Sequence, residues 1–398
     1  MGTPATRLLL VGDEPALEAA ATEAAAKLGV PLDIMPDVDS ALAWLLMPAH
    51  LCTHVLAPAS LSPQRLDALA GMVDEVTSRP TPLLLLGADP EQAQGSSVLA
   101  MTRASAAAIE QAVRSLRPFV PQEPPELSAA MLKNALHGGM IRMRFQPVLD
   151  ADTLEPVGLE ALARLHHPDL GILHPRHFIQ LAADTGQERA LTGIAAAATM
   201  VELGRIPGLP QRHFGINVSL PTLCHAHATE RALEMCAAAG LQPDQVAIEV
   251  LETEAEPDMR LLGHSVERWR KAGFFVTIDD AGPRLPHWER LLDLPFSSLK
   301  LDGALAGPLP EALDFAGEIV RAAKRHGMFV IAEGIEDEAA LARMRGLGVD
   351  ALQGFLFCRP LPARALPIWL RAWRAGLLAR PRAATESPPA GPLGASAA

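Results

Sequence analysis

Tyrosine is absent from the 398 residues, and aromatic side chains of all kinds make up only 4%. Single-stranded nucleic acid is bound by stacking its bases on aromatic platforms, so this composition argues against that class of partner. Positive charge is scarce too: 34 Lys and Arg face 46 Asp and Glu, a formal net charge of -12. DNA and anionic membrane surfaces both require a positive field, so neither is expected as a partner. A small phosphate-bearing ligand stays open, because bound metal ions can invert the local charge. The four cysteines, Cys52, Cys224, Cys236 and Cys358, include no CxxC pair. They fit structural thiols in a reducing, cytoplasmic compartment. The apolar runs 8–10 and 83–86 fall far short of the roughly 20 residues a membrane helix needs. Residues 1–7 are too few for a signal peptide ahead of the first expected strand.

A chain of this length exceeds one ordinary core, so two domains are expected. In the first, residues 7–11 read as a buried strand and 15–28 as a helix. A short strand at 31–35, a helix at 40–46 and strands at 54–56 and 83–86 follow. Further helical segments fall at 65–75 and 106–116. Strands separated by short helices imply a parallel sheet covered on both faces, here over residues 5–117. The run Val11-Gly12-Asp13-Glu14-Pro15 resembles the opening of a response-regulator receiver domain. That resemblance implies paired acids at the strand end, but Gly12 replaces the first of them. The acceptor Asp would fall near Ala57-Pro58, the hydroxyl residue near Gly87-Ala88 and the switch Lys near Thr102-Arg103. Phosphoryl transfer needs an oxygen nucleophile and a metal-binding acidic cluster, which one remaining Asp cannot supply. A receiver-like sandwich that cannot be phosphorylated is therefore expected, with a regulatory protein as its possible partner. Asp13 and Glu14 are expected to make structural or protein contacts.

Residues 118–137 form the joint, where prolines oppose helix until 127–136 resumes one. Residues 381–398, rich in Pro, Ala, Gly and Ser, read as a disordered tail. Between them, residues 138–377 hold eight strand candidates: 142–147, 157–164, 214–218, 246–250, 274–279, 297–301, 329–332 and 350–352. Helical periodicity fills most gaps, and this alternation implies a (β/α)8 barrel. Asn217, Glu249, Asp279, Asp280, Lys300, Glu333 and Gln353 lie at or just beyond the ends of successive expected strands, and Glu160 lies inside the second. Strand ends of a barrel converge on one face. A polar residue at one strand end is ordinarily a loop contact; recurrence over seven strands points to a site.

The ordered series Phe145-Gln146-Pro147, Gly158-Leu159-Glu160-Ala161-Leu162-Ala163-Arg164, His167-Pro168, Asn217-Val218-Ser219, Glu249-Val250-Leu251-Glu252, Asp279-Asp280, Lys300-Leu301-Asp302, Ala332-Glu333-Gly334 and Gln353-Gly354 resembles the EAL domain family. The resemblance implies a two-metal phosphodiesterase, using Mg²⁺ or Mn²⁺, that converts cyclic di-GMP to linear pGpG. It implies Glu160, Asn217, Glu249 and Asp279 as ligands of one cation. Asp279 would bridge to the second, with Asp280 and Glu333 helping to bind it. It also implies Lys300 contacting the attacking water or phosphate, Gln353 orienting the metal-water shell, and Arg164 contacting substrate phosphate or a neighbouring acid. Glu252 would brace the loop after Asp280, and the barrel would form a homodimer. The chemistry agrees independently: oxygen donors suit these cations, and clustered acids need positive metals to offset their repulsion. Two metals can activate water and stabilise charge on the phosphodiester and its leaving oxygen.

Two departures stand out. Family members continue the acidic pair with Asp-Asp-Phe-Gly-Thr-Gly-Tyr-Ser-Ser, whereas this chain has Asp279-Asp280-Ala281-Gly282-Pro283-Arg284-Leu285-Pro286. Leu251 replaces Thr in the Glu-x-Thr-Glu pattern. These changes keep open a cyclic-di-GMP receptor without turnover and a protein-interaction scaffold that binds no nucleotide. His166, His167, His174 and His177, like Cys224 and Cys236, lack zinc spacing. No Gly-Gly-Asp-Glu-Phe-like signature of a cyclase is present.

Overall fold

The computed structural model describes residues 6–46, 52–62, 65, 66, 69, 73, 81–88, 98–116, 126–168, 170–204, 206, 213–250, 258–285 and 288–376. These fall into two compact units: 6–146, 161–206 and 356–376 form the first, and 147–160 and 213–355 the second.

The first unit contains a five-stranded sheet of β1 (Leu8–Val11), β2 (Leu32–Met35), β3 (His54–Pro58), β4 (Leu83–Leu86) and β5 (Val98–Met101). Every pairing is parallel and the order is β2-β1-β3-β4-β5, the doubly wound arrangement with its order reversal between β1 and β3. Alternation along the strands sends Leu8, Leu10, Leu56, Leu84 and Leu86 to one face, where they pack with Leu17, Ala21, Ile109 and Val113 of helices Pro15–Leu28 and Ala106–Ser115. Leu9, Val11, Val55, Ala57 and Leu85 project the other way and are equally buried. Helix Val38–Leu45, capped by the Asp37 carboxylate accepting from the Ser40 N–H at 2.7 Å, packs against β1 and β2. In that helix Val38 and every residue from Ala41 to Leu45 are buried, as expected for a helix covered on more than one side. Its further neighbour is helix Leu366–Arg374, whose Trp369 and Trp373 rings stack at 5.4 Å between centroids.

The sequence places strands and helices here with small boundary shifts but leaves β5 unread. Most of the helix expected at 65–75 lies outside the described residues, as do 117–125 and the tail 381–398. The helix expected at 127–136 is Ala129–His137.

The later strands are β6 (Ile141–Asp150), β7 (Pro156–His167), β8 (Gly171–Leu173), β9 (Phe214–Val218), β10 (Val246–Val250), β11 (Phe275–Ala281), β12 (Ser298–Leu301), β13 (Phe329–Ala332) and β14 (Ala351–Leu352). Their order, β6-β14-β13-β12-β11-β10-β9-β7 with β6 also paired to β7, closes eight strands into a barrel, and β8 extends β7 outside the ring. Helices such as Ala228–Ala239, Met259–Lys271, Pro310–Arg325 and Glu338–Leu347 link the later strands. The barrel differs from eight repeated strand–helix pairs at its opening. No helix separates β6 from β7; the Asp150 N–H donates to the Glu155 carbonyl at 2.9 Å, and the chain turns straight back. β6 consequently runs antiparallel to β14, with Leu149 opposite Leu352. From β9 to β14 every pairing is parallel, so the carboxyl ends of these strands share one face. Among the described residues, no helix is long and apolar enough to cross a membrane.

Candidate metal centre

Strand pleating makes adjacent residues point to opposite faces, so a consecutive acid pair normally splits. Here β11 breaks that rule. Its register against β12 shifts between Ile278 and Ala281, and Asp280 takes the left-handed φ of +51°. Such a bulge re-aims a side chain at the end of a strand. The Asp280 N–H donates to Asp279 Oδ1 at 3.1 Å, which fixes the turn. Loop glycines make room for the rest: a Cβ on Gly282 would stand 2.8 Å from the Asp302 Cβ, and one on Gly354 2.1 Å from the Ile335 carbonyl oxygen.

These strand ends bring the acids together around one cation. Lys300 Nζ stands 2.5 Å from Glu333 Oε1, 3.1 Å from Asp279 Oδ1, 3.2 Å from Glu249 Oε2 and 3.4 Å from Glu160 Oε1. The Lys300 side chain is 1% exposed. Asn217 Nδ2 donates to Glu160 Oε1 at 3.1 Å, and Gln353 Nε2 to Glu160 Oε2 at 2.6 Å. Glu160, Glu249 and Asp279 each bring one oxygen within 4.8 Å of the others, and so do Asp279, Asp280 and Glu333. Asp279 belongs to both groups.

Burial is the largest single influence on each group, and it sets the direction for four of the acids. It raises Glu249 well above the ordinary carboxylate range, against the pull of Lys300 and with the repulsion of Glu160, Asp279 and Glu333 added. Burial also raises Asp279, pushes Asp280 up to about 6 with help from Asp279, and pushes Glu333 up to about 8 despite Lys300. Glu160 moves the other way: burial acts to raise it, but Lys300 and the hydrogen bonds from Gln353, Asn217 and Lys300 together lower it. For Lys300, burial opposes the charged form, yet Asp279, Glu160, Glu249 and Glu333 hold its ammonium well above its usual value. One lysine thus faces five acids that are packed too closely to ionise together without further positive charge. The donors are all oxygen, which suits hard divalent cations such as Mg²⁺ and Mn²⁺.

Over residues 129–360 the sequence matches the family described as the EAL domain. The chain belongs to the EAL family. Two curated relatives in Pseudomonas aeruginosa are cyclic di-GMP phosphodiesterases. PA2567 is 29% identical over 232 residues, 57% of this chain and 39% of that protein. NbdA is 30% identical over 248 residues, 61% of this chain and 32% of that protein. The chain therefore spans under two fifths of the length of these relatives. The solved PaMucR phosphodiesterase in complex with c-di-GMP is 27% identical with a TM-score of 0.56, over 59% of this chain and 97% of that one. An EAL domain protein from Listeria monocytogenes EGD-e has the same fold, at 21% identity and a TM-score of 0.54, over 64% of this chain and 99% of that one.

Of the residues singled out in the sequence, Glu160, Asn217, Glu249, Asp279, Asp280, Lys300, Glu333 and Gln353 all lie in the second unit and share this EAL centre. Glu333 and Gln353 follow β13 and β14 directly, and the Ile335 N–H donates to the Gln353 carbonyl at 3.1 Å, tying the two loops together. Arg164 is on β7 in the first unit, buried, with Nη1 donating to the Ala163 carbonyl at 2.8 Å. Glu252 and Leu251 lie outside the described residues. Sequence reasoning missed Asp302. It follows Lys300 by two residues, donates its N–H to the Ala281 carbonyl at 3.0 Å, and pairs through Oδ2 with Arg284 Nη2 at 3.2 Å. Its place beside Lys300 in the Lys-Leu-Asp run was the available signal.

Proposed function

We propose that this EAL domain hydrolyses cyclic di-GMP to linear pGpG with two divalent cations. The observation that carries the reading is the pair of oxygen triads sharing Asp279 around buried Lys300. Glu160, Asn217, Glu249 and Asp279 would hold one cation, and Asp279, Asp280 and Glu333 the other. Bound cations there would lower the pKa of water and neutralise charge on the phosphodiester. Lys300 supplies a fixed positive charge toward the attacking water or the phosphate, already oriented by four carboxylates. Lys300, with the amide donors of Gln353 and Asn217, holds the Glu160 carboxylate in its ionised form against burial. Arg164 would contact a substrate phosphate or a neighbouring acid, and Glu252 would brace the loop beyond Asp280.

Residues 138–377 act as the EAL domain and 5–117 as a receiver-like domain that regulates it without phosphorylation, with 118–137 as the joint. The β2-β1-β3-β4-β5 order supports a receiver-like sheet. Its helix Val38–Leu45 rests on helix Leu366–Arg374, which gives a packing route for regulation. Four free cysteines fit a cytoplasmic location, and a homodimer through the EAL domain is the expected assembly.

The test is incubation of the full chain, stripped of metal by chelation and dialysis, with cyclic di-GMP and either Mg²⁺ or Mn²⁺. Chromatography should show pGpG only after metal is added. No pGpG with either metal, from folded protein, overturns the reading. A second reading, saturable cyclic-di-GMP binding without turnover, is favoured by the loop after Asp280, where Ala281 and Pro283 replace the family's Phe and Thr.

A further inference from the structure

We infer that Gly215 is a positioning residue for the Glu249 carboxylate, and so for one half of the metal centre. The inference rests on the two-cation reading of the site but concerns a residue outside its donor set.

Gly215 and Asn217 are two apart on β9 and therefore project to the same face of the sheet. Across the ladder, Ala247 is level with Gly215 and Glu249 with Asn217. Glu249 does not extend straight from its own level. Its carboxylate leans back along the strands and lies over the Gly215 Cα, in the space a side chain at 215 would fill. A Cβ built on Gly215 would be 2.1 Å from Glu249 Oε1, 2.6 Å from Cδ and 3.1 Å from Oε2. Real atoms do not approach this closely, so any side chain at 215 and this position of Glu249 exclude each other. Gly215 does not owe its identity to a positive φ, since it is a regular residue of β9 and is not among the glycines in that region. What the position requires is the missing Cβ.

The opposite side of the carboxylate is closed as well. Glu249 Oε2 accepts from Lys300 Nζ at 3.2 Å, and Glu249 is only 4% exposed. The group is thus held between the Lys300 ammonium and the bare backbone of Gly215. In that position it brings an oxygen within 4.8 Å of donors from Glu160 and Asp279. The other triad, Asp279, Asp280 and Glu333, does not include it. A methyl group at 215 should therefore damage one cation site and spare the other. Residues that orient a metal ligand typically change metal affinity on the order of 10–100-fold.

The experiment is Mn²⁺ titration calorimetry on the full-length wild type, Gly215→Ala, Glu249→Asp and the double variant, each stripped of metal. Unfolding temperatures are recorded in chelator. Gly215→Ala should weaken one class of Mn²⁺ site by at least about tenfold, leave the other class within about twofold, and keep the chelator unfolding temperature near wild type. Glu249→Asp shortens the side chain by one methylene and clears the added methyl. In the Gly215→Ala background it should recover part of the lost affinity, although alone it weakens binding; this non-additivity marks direct contact. A simple folding defect would lower both site classes and the unfolding temperature together, without rescue. That pattern overturns the inference, as does unchanged Mn²⁺ binding in Gly215→Ala. A wild type that binds two Mn²⁺ but makes no pGpG refutes the proposed hydrolysis and leaves the Gly215 result standing. A wild type that binds no Mn²⁺ overturns both.

Discussion

Lys300 Nζ and Asp279 Oδ1 stand 3.1 Å apart inside the barrel, on neighbouring strands. Three more carboxylates share the same ammonium, so it is the hub of the centre rather than one member of an ion pair. A buried cation held this way has two separable roles, offsetting the acids before metal arrives and stabilising charge on the substrate afterwards.

Lys300→Ala separates these roles. With saturating Mn²⁺, binding of the metal should persist while single-turnover hydrolysis falls about 10²–10³-fold, the usual effect of losing a group that stabilises transition-state charge. In chelator the same variant should unfold at a lower temperature than wild type, because the carboxylates lose their counter-charge. The deficit should be greater at pH 8 than at pH 5, where protonation relieves the acids. Unchanged single-turnover chemistry would remove Lys300 from the mechanism.

Glu333 and Asp280 make the centre sensitive to pH. Their values are pushed up to about 8 and about 6 by burial, so at pH 7 the metal-free protein retains a proton on Glu333 that an unfolded chain would release. A raised carboxylate value contributes stability below its unfolded pKa and loses it as pH rises through the folded one. The unfolding temperature in chelator should therefore decline from about pH 5 to pH 8. Cation binding demands the ionised form. Mn²⁺ affinity should rise over pH 6–8, and calorimetry in buffers of different ionisation enthalpy should register proton release at pH 7. Affinity independent of pH in this window would contradict the assignment of these two acids.

The bulge at Asp280 allows charge and backbone strain to be measured apart. Asp280→Gly and Asp280→Ala both remove the carboxylate, and both should lose most activity. Only glycine accepts a φ of +51° without strain. Asp280→Gly should therefore be more stable than Asp280→Ala by about 1–2 kcal/mol, read from denaturant midpoints. Equal stabilities would mean that the turn relaxes once the Asp280 side chain is gone.

Composition and periodicity made the strands legible because each is a short β-branched or Leu-rich run bounded by Gly, Pro or a helix. The expected ranges 214–218, 246–250 and 329–332 coincide with β9, β10 and β13. Strand direction was not legible. Residues 142–147 and 157–164 read as strands whether they are joined by a hairpin or a helix, and only the Asp150–Glu155 turn distinguishes the two. The three-residue β8 is too short to carry periodicity, and β5 reads Val-Leu-Ala-Met, where Leu, Ala and Met suit a helix as well as a strand. The site was legible as polar residues within one position of a run's end, with Glu160, inside the second run, as the exception. How Asp279 and Asp280 could both serve it was not, because pleating alone assigns them opposite faces. Gly215 left no signal, for its role lies in an adjacent strand's side chain.

The first unit should not respond to acetyl phosphate as a receiver does. β3 ends in Ala57 and Pro58, neither of which can attack phosphorus. The structure adds a steric reason that restoring one acid will not suffice. Gly12, at the end of β1, has a φ of +126°, and a Cβ placed there would meet Pro58 Cγ at 3.3 Å. Any L side chain at position 12 is thus strained and pressed against the residue in the acceptor region. Asp13 and Glu14 are both exposed, and Glu14 accepts from Ser60 Oγ at 2.8 Å. Full-length wild type and Gly12→Asp should both show no adduct of about 80 Da, the mass of one phosphoryl group, after incubation with acetyl phosphate and Mg²⁺. Intact mass measurement reads this directly, and Gly12→Asp should also unfold at a lower temperature than wild type. A stoichiometric adduct mapped to residues 5–117 would sink the prediction. A change in hydrolysis rate without an adduct would instead trace control to noncovalent packing. Substitution of Trp44, on the helix that rests against Leu366–Arg374, should then alter the rate as well.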